Sequence, residues 1–540
     1  MREHQPMSAT PAARVALPLL LCAALTACGS TVQPSGGSRQ LDGGTGGLSS
    51  VDQTTGAVDG STSSTGGGDG STTGSTTGLG GGSTSGSGGS SGSTTGTDPS
   101  TTGSTAIGSS STGSVPNATK APGVSAKEIK LGFIKVANGE ALNKAFGAGA
   151  LTQGDGPANN AAIIKDINSH GGIAGRKITA VYADFDSTST DTIEAQWARV
   201  CEKFTRDTPV YAVIGAGGTD SFKACMKKAG TAIINSDLPQ VGEATFRRYP
   251  GFVELGYPNL DRLAAYLVTS LQEQKYFTPW NTVSNQPAAA GAVKVGVLTY
   301  DDLVFSHAVD KVLVPALKRI GYDPIVRKVS QVQSAGGYGN QAAAVKSAQL
   351  AFASGRVTHV LTFEANAGLS LFFLPTAKSQ NYFPRYGINS ANGFQALIDT
   401  GATDGAQVHG AVGFGWLPAL DQPANLNPDN GPYSNPERKR CLATYKANGI
   451  VFDSGNAQSI GLSTCANLYL LRAALAKAPA VTLAAFIQGV GALGTTYQPA
   501  GSLGIDLRPD RHDPSNVAYH LSYFSDCSCF HYSGTKHLVP

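Results

Sequence analysis

The segment Gly215-Ala216-Gly217-Gly218-Thr219-Asp220-Ser221 follows an apolar run and opens a helical pattern. Bare backbone N–H groups beside the hydroxyls of Thr219 and Ser221 can cradle a carboxylate at such a helix start. A phosphate loop is the rival, but no Lys follows at P-loop spacing and the dinucleotide glycine pattern is absent. Glu364 and Asn366 end another apolar run, where the Glu364 carboxylate can pair with a ligand cation. Catalytic signatures are missing, with no HExxH, GxSxG, Walker or kinase pattern after residue 120. The densest titratable cluster, Asp506-Leu507-Arg508-Pro509-Asp510-Arg511-His512-Asp513, is broken by proline and reads as a solvated surface loop.

These groups need a scaffold, and apolar runs alternating with helical patterns supply one. Glu128 to Ile134, Lys177 to Ala183, Val210 to Gly215 and Ala232 to Ile234 read as strands. Between them, Ile163, Ile164 and Ile167 share one helical face, and Ile193, Trp197, Val200 and Phe204 share another. The alternation restarts after a Pro- and Ala-containing connection at 278–291. Val293 to Thr299, Val357 to Phe363, Arg385 to Ile388 and Val408 to Phe414 then read as strands, and a long helix is expected from Ser459 to Lys477. Alternation of this kind predicts an α/β fold of two lobes built on parallel sheets.

Composition narrows the partners. A net charge of +3, with no basic run interleaved with aromatics, excludes a nucleic-acid partner. Arg2 and Arg14 precede an apolar run, Val15 to Leu25, that is too short to span a bilayer. Leu25-Thr26-Ala27-Cys28 resembles the lipobox of bacterial lipoproteins, which implies an export signal over 1–27 and a lipid on Cys28 that holds the chain at the outer face of the cytoplasmic membrane. Residues 28–120 are almost entirely Gly, Ser and Thr and read as a disordered tether. A coil of about 90 residues would reach roughly 50 Å at rest. Of the eight cysteines, Cys22 leaves with the signal and Cys28 takes the lipid. Proximity favours pairing Cys201 with Cys225 and Cys441 with Cys465, leaving Cys527 with Cys529. These cysteines form no CxxC pair and have no His in ligand register, so neither a metal site nor a cofactor is expected.

The stretch from Ile163 to Ile178, reading IIKDINSHGGIAGRKI, resembles a recurrent segment of type I periplasmic binding proteins and is similar to the branched-chain amino acid receptors of ABC transporters. Val213-Ile214-Gly215 and the run from Val295 to Asp302 add to the resemblance, which covers roughly 126–540. It implies two doubly wound parallel-sheet lobes joined by crossover strands. Lobe 1 would comprise about 126–256 and 420–500, and lobe 2 about 257–419 and 501–540. A small solute would be held between them, with contacts from Gly217, Gly218, Thr219, Ser221, Asn235 and Ser236 in lobe 1 and from Tyr300, Phe305, Glu364 and Asn366 in lobe 2. The implied partners are the permease and ATPase of an ABC importer, with a sensor role or an exported hydrolase as alternatives. In one place the sequence departs from the amino acid receptors. Where they carry an acid for the ligand ammonium, this chain reads Asn389-Ser390-Ala391-Asn392-Gly393-Phe394. Recognition of an α-amino acid would therefore fall to Glu364.

Overall fold

A computed structural model describes residues 121–145, 151–236, 241–426, 431–513 and 515–539. The expected signal, Cys28 and the glycine-rich segment lie outside the described residues. Lobe 1 is built on β1 (Glu128–Ala137), β2 (Lys177–Asp186), β3 (Ala212–Ile214), β4 (Ala232–Asn235) and β5 (Phe252–Glu254). These strands form one parallel sheet in the order β2-β1-β3-β4-β5. The short strands β3 and β4 are buried along their whole length, as strands covered on both faces must be.

Two clusters of side chains cover the faces of this sheet. One packs Ile129, Leu131 and Phe133 against Ile163, Ile167, Leu468 and Leu471, and the other packs Val213 and Ile233 against Val200, Phe204, Phe222 and Met226. The helix Gly156–Ser169 begins where the Asp155 carboxylate accepts from Ala158 N at 2.9 Å. It ends at Gly172, whose φ is +73° and where a Cβ would lie 1.9 Å from the Arg176 carbonyl oxygen, so only glycine fits. The helix Ile193–Glu202 continues through a wider π turn, Lys203–Asp207, which keeps Val200 and Phe204 on the buried side.

A two-residue hairpin, β6 (Trp280–Asn281) with β7 (Gln286–Pro287), precedes the second sheet. That sheet contains β8 (Val295–Tyr300), β9 (Ile325–Val329), β10 (His359–Phe363), β11 (Arg385–Asn389), β12 (Val412–Gly415), β13 (Val517–Phe524) and β14 (Cys529–Leu538). Its order is β14-β13-β12-β11-β10-β8-β9. Strands β8 to β12 repeat the 2-1-3-4-5 order of lobe 1, while β13 and β14 extend the sheet antiparallel. The sequence reading did not anticipate this hairpin, since its strands are only partly buried and carry His, Ser and Tyr among their apolar residues.

The chain crosses between lobes three times. Leu255 packs in the core of lobe 1 and Tyr257 in that of lobe 2; Leu417 belongs to lobe 2 and Ala419 to lobe 1. The last crossing falls later than the expected boundary at 500–501, because Ile505 and Leu507 still pack in lobe 1 while Ala518 packs in lobe 2. Disulfides join Cys201 to Cys225, Cys441 to Cys465 and Cys527 to Cys529. The first two each tie a helix to its neighbour, and the third closes the β13–β14 turn.

Candidate functional site

In an open α/β sheet of this order, ligands sit beyond the C-terminal strand ends, where the first and third strands send their connections to opposite faces. In lobe 1 that place is the turn after β3. Gly218 has φ +60°, and a Cβ there would lie 2.2 Å from Phe222 Cδ1, so the turn can close over the Phe222 ring only as glycine. Beneath it, the buried Lys223 donates from Nζ to the Gly218 carbonyl oxygen at 2.6 Å and lies 5.5 Å from the Phe252 ring centroid. Burial lowers the pKa of this ammonium to about 8.

Thr219 caps the helix Asp220–Ala229, its hydroxyl accepting from Phe222 N at 3.4 Å. The first N–H groups of a helix have no intrahelical acceptor, so this helix start offers backbone donors. Thr219 Oγ1 and Ser221 Oγ lie 3.0 Å apart, but the Ser221 hydroxyl donates to Glu194. The expected carboxylate cradle therefore reduces to the glycine backbone and Thr219. Asn235 and Ser236 lie below the wall, 1% and 5% exposed. Asn235 Nδ2 donates to Glu254 Oε2 at 2.5 Å, and Ser236 Oγ donates to Asn467 Oδ1 at 2.5 Å. A Cβ on Gly217 would meet Asn235 Nδ2 at 3.2 Å, so Asn235 supports the turn from beneath.

The matching turn in lobe 2 follows β10, and its polar groups are engaged internally. Glu364 is 2% exposed and accepts from Leu369 N at 2.6 Å, Ser370 N at 2.9 Å, Asn392 Nδ2 at 2.8 Å and the Ser370 hydroxyl. Burial pushes its carboxyl pKa up, against the opposing pull of those hydrogen bonds. The carboxylate expected to meet a ligand cation instead caps the helix Ser370–Ser379. Phe305 and Tyr300 are core residues, 1% and 6% exposed, with their rings packed edge to face at 5.1 Å and Phe305 against Phe363. The aromatic contact expected of Phe305 is thus made within the lobe, as is common where an aromatic follows a helix cap. Of the four residues expected from lobe 2, Asn366 alone is exposed. It and Ala367 adopt φ of +49° and +57°, and Tyr257 donates to Asn366 Oδ1 at 3.3 Å. Two consecutive non-glycine residues in the left-handed region are costly, and such strain concentrates in functional loops.

Three buried carboxylates organise the crossings. Glu254, at the first, also accepts from Gly256 N at 3.1 Å. Asp421, at the second, accepts from Ser390 Oγ at 2.7 Å, Leu417 N at 3.0 Å and the Tyr532 hydroxyl at 2.5 Å, and burial raises its pKa to about 6. Asp513, at the third, accepts from Asn259 N at 2.8 Å and from Arg262 Nη1 at 2.6 Å. The cluster from Asp506 to Asp513 is therefore solvated only at its tip, Arg508, Pro509 and Asp510. Asp506, His512 and Asp513 are buried because the third crossing passes through them. The crossings also bond to one another, through Trp416 Nε1 to the Gly256 carbonyl at 2.8 Å and Glu254 N to the His512 carbonyl at 2.8 Å. At the far rim the lobes touch directly, Ile193 N donating to the Gln333 carbonyl at 2.7 Å and Ala335 N to that of Ser189 at 3.3 Å.

Sequence reasoning missed Lys223, Glu254, Asn467, Asp421 and Asp513. A usable signal existed for Glu254, an acid placed directly after the apolar Phe252-Val253 at a strand end. Asn467 and Asp513 acquire their roles through partners more than two hundred residues away, Ser236 and Arg262, and Lys223 and Asp421 through the folding of their own turns and crossings.

No family model matches the sequence, and no curated protein matches it. Solved structures do resemble it. A substrate-binding protein of an ABC transporter from Aeropyrum pernix superposes with TM-score 0.52 at 14% identity, covering 77% of this chain and 97% of its own. A fatty acid ABC transporter substrate-binding protein from Thermomonospora curvata gives 0.51 at 18%, covering 78% and 93%. The branched-chain amino acid transporter substrate-binding protein of Streptococcus pneumoniae, solved with isoleucine, gives 0.50 at 16%, covering 76% and 99%. The chain has the fold of type I periplasmic binding proteins.

Proposed function

We propose that this chain is an extracytoplasmic solute-binding lipoprotein that captures a small polar metabolite between its lobes and delivers it to the permease and ATPase of an ABC importer. The observation that carries this reading is the pairing of two sheets of the same strand order, their third-strand turns placed at the C-terminal ends and their lobes joined by three hydrogen-bonded crossings. Such an arrangement suits closure about a hinge, with contacts from both walls complete only when shut. Its chemistry suits binding, since the Lys223 ammonium and the Glu364 carboxylate bond within their own lobes and the turns offer backbone, hydroxyl and amide groups.

The ligand class follows from the donors and acceptors. Lobe 1 presents N–H groups and Thr219, which suit an acid or amide oxygen. Glu364, occupied by its own lobe, offers nothing to an ammonium, so the reading favours a metabolite recognised by its acceptor end. Of the similar structures, one was solved with isoleucine and another is described as a fatty acid binder, and a carboxylate is common to the two ligands. A lipid on Cys28, followed by the glycine-rich tether, would keep the receptor concentrated above its permease while leaving it free to turn.

A thermal-shift screen of the full chain against amino acids, amides, aromatic acids, fatty acids and sugars tests the proposal. A true ligand at a hundred times its Kd adds about 2.7 kcal/mol of stability. Small-angle scattering with that ligand should show a smaller radius. Absence of both effects across the panel would remove the basis for a solute receptor. Cys28→Ser should release the protein from membranes and leave the ligand shift intact.

A further inference from the structure

We propose that Glu273, His520 and His537 form a binding site for one zinc-class divalent cation, where the C-terminal hairpin meets the helix Leu260–Glu273. The three side chains bring one ligand atom each into a cluster whose members all lie within 4.8 Å of one another. His520 Nε2 is 3.0 Å and His537 Nδ1 3.8 Å from the same carboxylate oxygen, Glu273 Oε2. Bonds of about 2.0–2.1 Å to a tetrahedral zinc place neighbouring ligand atoms about 3.3 Å apart. Both distances bracket that value, so small rotamer adjustments complete the site.

The hairpin is shaped to make this cluster. Opposite Ala518 stands His537, yet His520 pairs with Ser533, so Gly534, Thr535 and Lys536 on β14 face a single residue on β13. A bulge of this kind re-aims side chains. Residues two apart on a strand share a face and direct partners face the same way, so His537, opposite Ala518, joins His520 on one face. Gly534 permits the bend with φ +75°.

The electrostatics favour a cation. Glu273 ends a 14-residue helix, where the partial negative charge of the last carbonyls opposes a carboxylate. The two imidazole rings stand 4.2 Å apart. Two imidazoles and one carboxylate are a zinc donor set that leaves a fourth position for water. Side-chain exposures of 18%, 22% and 42% leave that position to solvent. The bound ion would pin the hairpin, and through it the edge of the second sheet, to the helix that follows the first crossing.

The full chain, prepared without a polyhistidine tag and stripped with a chelator, is titrated with zinc chloride against a chromophoric competitor. Wild type should take up one equivalent more than His537→Gln, His520→Gln or Glu273→Gln, each binding roughly 100-fold more weakly, at or beyond the upper end of what loss of an outer-shell partner costs. Cobalt should give the intense visible bands of a four-coordinate site in wild type alone. A measurement on wild type needs no variant to fold: zinc should protect His520 and His537 from diethylpyrocarbonate, read by peptide mass. Equal uptake by wild type and variants, or no protection of these two rings, would overturn the site.

Discussion

The turns after β3 and β10 occupy equivalent places in sheets of the same strand order, yet they handle the start of the following helix differently. In lobe 1 the turn is glycine-rich, and a single hydroxyl, Thr219, caps the helix. In lobe 2 the Glu364 carboxylate folds back onto Leu369 N and Ser370 N. Lobe 2 thus places a carboxylate directly on the first N–H groups of its helix, whereas the acids at the lobe 1 helix start, Asp220 and Glu194, bond to Arg248 and Ser221. A helix start that is already neutralised gains little from a ligand acid, whereas one capped by a neutral hydroxyl keeps its attraction. The two walls share a topology and differ in what satisfies the first N–H groups of the helix, a neutral hydroxyl in lobe 1 and a carboxylate in lobe 2.

The largest expected effect tests the internal role of Glu364. Glu364→Ala leaves the N–H groups of Leu369 and Ser370 without their buried acceptor, while the Ser370 hydroxyl and the Asn392 amide keep Thr362, and at about 1–3 kcal/mol for each unsatisfied group the loss should reach roughly 4 kcal/mol in chemical denaturation. The ligand-induced thermal shift should survive; its disappearance would mean that the walls are more alike than their geometry suggests.

Asp421 belongs to the crossing between the walls, and its effect is set by pH. Its folded pKa, about 6, lies above the ordinary value of 3.8. The native state therefore holds the proton more tightly, and its contribution is full below about pH 4 and lost as pH rises through about 6. Urea midpoints should reveal a decline on the order of 3 kcal/mol over that window, flattened in Asp421→Asn. An unchanged slope in the variant would assign the pH dependence elsewhere.

Gly218→Ala forces a Cβ against Phe222 at a positive φ and should cost about 1–3 kcal/mol. Unlike Glu364→Ala, it should also abolish the ligand shift. The smallest change, Thr219→Ala, should lower stability by about 1 kcal/mol through loss of the cap. Retention of full ligand affinity in both lobe 1 variants would break the contrast between the walls.

Much of the scaffold was legible in the sequence, because buried parallel strands appear as apolar runs, unbroken at Val210 to Ile214 and interrupted only by Thr358, His359 and Thr362 at Val357 to Phe363. The Gly-Gly stop after Ile167 and the glycine turn after β3 were equally plain, since each needs backbone that only glycine supplies. The site was less legible. Glu364 and Phe305 were correctly placed near strand ends, but whether a side chain turns outward or back into its own lobe is decided by partners such as Ser370 and Phe363. The acids of the crossings were harder still. Asp513 stands among charged neighbours and looks solvated until the third crossing brings Arg262 and Asn259 onto it. The β13–β14 hairpin escaped because its mixed strands lack either an apolar run or a clean alternation.

In the proposed receptor, lobe 1 anchors the solute while lobe 2 closes over it. Calorimetric titration of the first solute found to stabilise the chain, into wild type, Thr219→Ala and Glu364→Gln, tests it most directly. Kd should be at least ~10-fold weaker for Thr219→Ala, equivalent to about 1.4 kcal/mol, and within about twofold of wild type for Glu364→Gln. The reverse order, with Glu364→Gln losing affinity and Thr219→Ala keeping it, would contradict it.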